Sequence, residues 1–158
     1  MCAHCEKLGR DPLQTKAHQV PSPWAPSAHG TATFNYSNCN GRFRLGDGAY
    51  LFETIWSKAS DTSIHCYTDT PSLRGVALVP RGATLADITD ASALDFTSRM
   101  RTPEEGRFVV LQNTNGFYAA LEIVDVKDDT RHDPSDELTF QYWILTDGST
   151  DFSRVQVA

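Results

Sequence analysis

The first five residues have the spacing of a metal knuckle. Cys2-Ala3-His4-Cys5 sets two thiols three positions apart, and His18 and His29 follow. Two thiolates from Cys2 and Cys5 with two imidazoles from His18 and His29 would complete a tetrahedral zinc site, so zinc is the first cofactor the sequence suggests. Cys39 is an alternative fourth ligand, and Cys66 reads as a small buried hydrophobe. Arginines carry a second kind of chemistry. Arg42-x-Arg44 and Arg99-x-Arg101 each place two guanidiniums on one face of an extended segment, an arrangement that grips anions. Together with Trp56, Tyr67 and Trp143 they predict a pocket in which aromatic faces stack on a base or sugar while arginines hold phosphate or carboxylate. The candidate ligand-binding residues are Trp56, His65, Tyr67, Asp69, Arg74 and Arg99.

Hydrolytic chemistry has three starting points. The knuckle followed by Leu13, Ala17-His18 and Pro21 resembles the opening of an HNH-type endonuclease. That resemblance implies a metal-dependent nuclease with a further ligand on a following helix, but here the chain turns to β-patterned text. Asp125-Val126-Lys127 resembles the Asp/Glu-x-Lys element of a widespread metal-dependent nuclease fold, in which the carboxylate holds Mg²⁺ and the lysine helps to activate water. His65 with Asp69 or Glu53 would make an acid–base pair across strands, against the plainer reading of a satisfied strand histidine. There is no Gly-x-Ser-x-Gly elbow, and the neighbours His65 and Cys66 point to opposite faces of a strand. Asp125, Asp128, Asp129, Asp133 and Asp136 offer oxygen ligands for calcium without the EF-hand spacing. That acidic run reads mainly as a solvated loop.

These side chains need a scaffold, and the text from Thr31 onward supplies one. Short runs of β-branched and aromatic residues are broken by Asn, Asp and Gly, which predicts an all-β, mainly antiparallel domain: a small barrel or sandwich. Expected strands are Thr31–Tyr36, Arg42–Leu45, Ala49–Trp56, Ser63–Tyr67, Arg74–Val79, Arg107–Gln112, Phe117–Lys127, Leu138–Leu145 and Phe152–Val157. Asn113-Thr114-Asn115-Gly116 supplies the positive-φ positions of a tight hairpin, and a three-stranded meander follows from it. Thr84–Asp90 and Ala91–Phe96 are the only stretches with helical spacing, so one or two short helices are expected. Residues 1–30, with Pro12, Pro21, Pro23 and Pro26 and no periodic pattern, read as an irregular arm, leaving 31–158 as a single domain.

With 158 residues and no apolar run of the ~18 to 20 residues a spanning helix requires, the chain is not expected to cross a membrane. Its net charge of −6 is uneven: residues 1–80 hold seven Lys/Arg and six Asp/Glu, residues 81–158 seven and fourteen. Such a balance disfavours duplex nucleic acid as a partner. The N-terminus lacks an apolar leader segment, which predicts a cytoplasmic chain with reduced thiols. The leading expectation is a non-catalytic ligand-binding, accessory or sensor domain for an anionic or nucleotide-like small molecule. The alternatives are a metal-dependent hydrolase or nuclease, and a structural domain with a protein partner that oligomerises through an aromatic sheet face.

Overall fold

The computed structural model describes residues 23–155. Ten strands lie among them: β1 (Trp24–Ala25), β2 (His29–Phe34), β3 (Arg42–Leu45), β4 (Phe52–Lys58), β5 (Ile64–Tyr67), β6 (Leu73–Leu78), β7 (Met100–Arg101), β8 (Phe108–Asn113), β9 (Tyr118–Lys127) and β10 (Glu137–Ile144). They form two five-stranded sheets packed face to face. The front sheet has the order β1-β3-β4-β5-β7 and the back sheet β2-β10-β9-β8-β6. All pairings between these strands are antiparallel except β1 with β3. The sheets do not close into a barrel, so the architecture is a sandwich.

Alternation builds the core. In β4, Phe52, Thr54 and Trp56 point between the sheets; Glu53, Ile55 and Ser57 point out. Phe43 and Leu45 of β3 and Ile64 and Cys66 of β5 join the inner face, opposite Leu138, Phe140 and Tyr142 of β10. Trp56 stacks on Phe140 with ring centroids 5.7 Å apart, and Phe43 meets the same ring edge-on at 5.5 Å. The one polar side chain of the β4 inner face is matched: Thr54 Oγ1 donates to Phe43 O at 2.7 Å and accepts from Trp56 Nε1 at 2.6 Å.

The expected meander is present, with β8, β9 and β10 adjacent in the back sheet and the hairpin closed by Asn113 N donating to Phe117 O at 3.0 Å. Several expectations shift. The back sheet is buried on its outer side as well: Val110, Tyr118, Ala120 and Trp143 lie under Leu85, Ile88, Leu145 and Phe152. The two stretches with helical spacing are short 3-10 turns, Leu85–Asp87 and Ala91–Ala93, opened by the Thr84/Asp87 capping box and by Asp90 accepting from Ser92 N. Their apolar residues need only one turn each to reach the sheet. Among the described residues 151–155 there is no strand; Phe152 plugs this second core while its N–H donates to Ile88 O at 2.8 Å. The sandwich also begins earlier than residue 31, because Trp24–Ala25 and His29–Gly30 already lie in strands of the front and back sheets.

Candidate functional site

The outer face of the front sheet is where the polar positions of β3, β4 and β5 collect. Register fixes the layout: Trp24, Arg44 and Glu53 lie side by side, as do Arg42, Ile55, Tyr67 and Met100, and then Ser57 and His65. Nothing among the described residues is layered over this face as the turns and the 145–155 segment are layered over the back sheet.

Four of the predicted ligand residues meet at the β5–β7 side of this face. Arg99 donates through Nε and Nη2 to both oxygens of Asp69, at 2.9 and 2.6 Å, a bidentate pair that holds the guanidinium charged and raises its pKa. The same guanidinium lies over the Tyr67 ring, 5.5 Å from its centroid. His65 sits 6.2 Å from that ring, centroid to centroid, and its Nδ1 shares a hydrogen bond with Thr102 Oγ1 at 2.8 Å. Tyr67 OH and Ser57 Oγ share another at 2.8 Å, linking the group to β4. The result is a fixed array of aromatic, cationic, anionic and hydroxyl groups, half-buried at Tyr67 and His65 and exposed at Arg99 and Asp69.

Beyond Ser57 the face runs into a shallow cleft of about 350 Å³ lined by Tyr36, Ser37, Asn40, Trp56, Ser57 and Lys58. Its rim is a left-handed turn, with φ of 53° at Cys39, 57° at Asn40 and 74° at Gly41. Gly41 is required there, since a Cβ would lie 1.9 Å from Trp56 O. At the cleft floor Lys58 Nζ reaches Asp129 at 2.8 Å, Asp136 at 3.0 Å and Asp128 at 3.1 Å. Hydrogen bonding to Asp129 first, then to Asp136 and Asp128, holds the ammonium firmly protonated. Asp128 is pulled down to about 2 by hydrogen bonds from Thr130 and by Lys58. For Asp136 burial opposes ionisation, yet the Ser37 hydroxyl, the Asp129 amide and Lys58 outweigh it and its pKa is lowered. Tyr36, in the same group, is pushed up by burial and by Asp136.

This corrects the reading of the acidic run as a solvated loop: Asp128 and Asp136 are 1% and 4% exposed. The carboxylates of Asp128, Asp129 and Asp136 converge as calcium ligands would, but the lysine ammonium already occupies the position between them.

The other candidates fall elsewhere. Trp56 is 1% exposed and its indole N–H is spent on Thr54, so it is a core residue whose ring faces are not open for stacking. Arg74 belongs to the back sheet, where it donates to Thr114 O at 2.8 Å, away from the Tyr67 group. Arg101 turns to the sheet edge and donates to Asp95 O at 2.7 Å, so the Arg99-x-Arg101 pair does not act as a two-guanidinium clamp. Of the zinc set, Cys2, Cys5 and His18 lie outside the described residues; His29 is exposed on β2, and Cys39 is disulfide-bonded, which removes its sulfur as a free thiolate. Asp125 hydrogen-bonds to Glu105, whose pKa is raised by burial and then by Asp125, and Lys127 pairs with Glu137 at 3.6 Å. Burial raises the Cys66 thiol as well, which makes it inert as a nucleophile.

The chain matches no protein-family model and no curated protein in sequence. The site therefore rests on its own geometry. Trp24 is the residue that sequence reasoning left out of it. It stands between Pro23 and Pro26 in the segment read as an arm, and a lone large aromatic in Pro-rich text was the available signal.

Proposed function

We propose that this domain is a non-catalytic ligand-binding module that recognises a small molecule on the outer face of its front sheet. The observation that carries the reading is the convergence of Tyr67, His65, Asp69 and Arg99, which are spread over 35 positions of sequence, into one contiguous group, joined by the Arg99–Asp69 pair and by ring contacts, on a face that no described residue covers. Aromatic surface next to a preorganised donor–acceptor pair is the composition of a recognition site. Among the described residues the nearest approach to a catalytic set is His65, and its placed partner is a threonine hydroxyl, which orients the ring but supplies no charge relay.

Chemical-shift mapping of the full chain against a mixture of polar metabolites tests the reading. Shifts are expected at Tyr67, His65 and the Arg99 side chain, and Tyr67→Ala with Asp69→Ala should weaken the binding at least tenfold without changing the fold. Binding that perturbs only the back sheet, or that both variants leave intact, would sink the proposal.

A further inference from the structure

At the β1 side of the same face Arg44 has no carboxylate partner among the described residues. Glu53 stands directly across from Arg44 in the β3–β4 register, yet its carboxylate pairs diagonally with Arg42, at 3.3 Å. Arg44 forms no ion pair with any described residue, in a chain that carries 20 acidic side chains. Its Nε is buried with no acceptor, whereas its two terminal nitrogens are not buried. The guanidinium is packed 5.1 Å from the centre of the Trp24 ring. Trp24 is itself anchored, donating from Nε1 to Gly46 O at 2.7 Å, and still leaves 42% of its surface exposed. Together with Val124 it is one of two large apolar side chains left open among the described residues.

Each feature has a physical consequence. The buried, orphaned Nε means that water does not solvate that side of the guanidinium, so its charge is less screened than that of a free arginine. Contact with the Trp24 ring holds the guanidinium in place and leaves its terminal N–H groups as a fork, the geometry that matches the oxygens of a carboxylate or phosphate. The exposed part of the indole offers a flat surface beside that fork. Arg42 and Arg99 are neutralised by Glu53 and Asp69, so among the described residues the unmatched positive charge of this face is that of Arg44, beside Trp24.

We infer that Arg44 and Trp24 form an anion subsite of this face, which selects ligands carrying a single oxyanion, phosphate or carboxylate, attached to a flat ring. The inference rests on the proposed ligand-binding role of the face and adds the chemical class of the ligand.

The probes are phenyl phosphate, benzoate, inorganic phosphate and neutral benzamide, titrated into the full chain. The readouts are the ¹⁵N–¹H signals of the Arg44 Nε–H, the Trp24 Nε1–H and the Arg99 Nε–H. Phenyl phosphate or benzoate should shift the Arg44 and Trp24 signals to saturation, at least tenfold tighter than inorganic phosphate, while benzamide leaves both in place. Arg44→Gln, on an outward-facing position, should keep the melting temperature and lose at least tenfold in affinity. Glu53→Gln should tighten binding several-fold, because it removes the carboxylate that stands directly across from Arg44. Saturation at Arg99 with Arg44 and Trp24 unmoved would overturn the anion subsite and leave the ligand-binding reading standing. No shift anywhere on the face would overturn the anion subsite, and the metabolite mapping above then decides the ligand-binding reading by itself. Inorganic phosphate binding as tightly as the ring compounds would overturn the selection for a ring.

Discussion

Two groups of charges lie at either end of a short walk along β4, and they are built in opposite ways. At Lys58 one ammonium is enclosed by three carboxylates, two of them almost fully buried, and every member also holds or is held by the β9–β10 connection. At Arg44 a guanidinium lies on the outer face with no carboxylate of a described residue paired to it, while its neighbour Arg42 takes Glu53. The first arrangement is closed: its charges answer one another and tie the front sheet to the back sheet. The second is left incomplete, and incompleteness on a surface is what a ligand can satisfy. Where charge is matched inside the fold, the residues support the structure; where it is not, they are available for recognition.

The largest test of that division is Trp56, which stands between the two groups. Trp56→Ala should cost about 3–5 kcal/mol in urea unfolding, because it leaves a cavity against Phe140 and removes the indole N–H that Thr54 Oγ1 accepts. A near-neutral result with an intact fold would move Trp56 to the recognition face and blur the boundary between the regions.

Next is Lys58→Met, which leaves three carboxylates facing one another. Its melting temperature should fall by roughly 10 °C near neutral pH. The pH dependence sharpens the point. Asp128, held down to about 2, and Asp136, also lowered, contribute stability that is present above the ordinary carboxylate pKa of about 3.9 and lost as pH falls through their folded values. The wild type should therefore lose stability between pH 5 and about 2, whereas in Lys58→Met protonation relieves repulsion. The gap between the two melting curves should narrow as the pH drops. A gap that stays constant would mean that the lysine acts by packing its stem and not by its charge.

The smallest effect is expected on the open face. Arg99→Gln breaks a bidentate pair, but the pair is exposed, so the melting temperature should move by less than about 2 °C. A large drop in thermal stability would place Arg99 with Lys58 among the residues that hold the sandwich together.

Much of the scaffold was legible because strand periodicity is local. Arg42–Leu45 is found as expected, and the Asn113–Gly116 turn closes where its positive-φ residue requires. The same period of two placed His65 and Tyr67 on one face and Cys66 on the other. It did not say which face of Tyr50–Trp56 was inward, because both sides mix apolar and polar residues. Thr54 was free to turn in only because Phe43 O lies opposite to receive its hydroxyl. Helical spacing at Leu85, Ile88 and Leu94 yields two single 3-10 turns and no longer helix: these residues reach a sheet from successive turns, and a sheet accepts apolar contacts at that spacing as readily as a helix face does.

By itself, then, the sequence determined the all-β class, most of the strands and the residue types available for recognition, since alternation and turn chemistry act between near neighbours. Only the tertiary structure decided what each charge does. Lys58 meets Asp128, Asp129 and Asp136 from about half the chain away, and Trp24 reaches Arg44 through a parallel pairing that no local pattern announces. Whether a charge is neutralised, buried or left open depends on which distant strand lies beside it, and that is settled when the two sheets close on their common core.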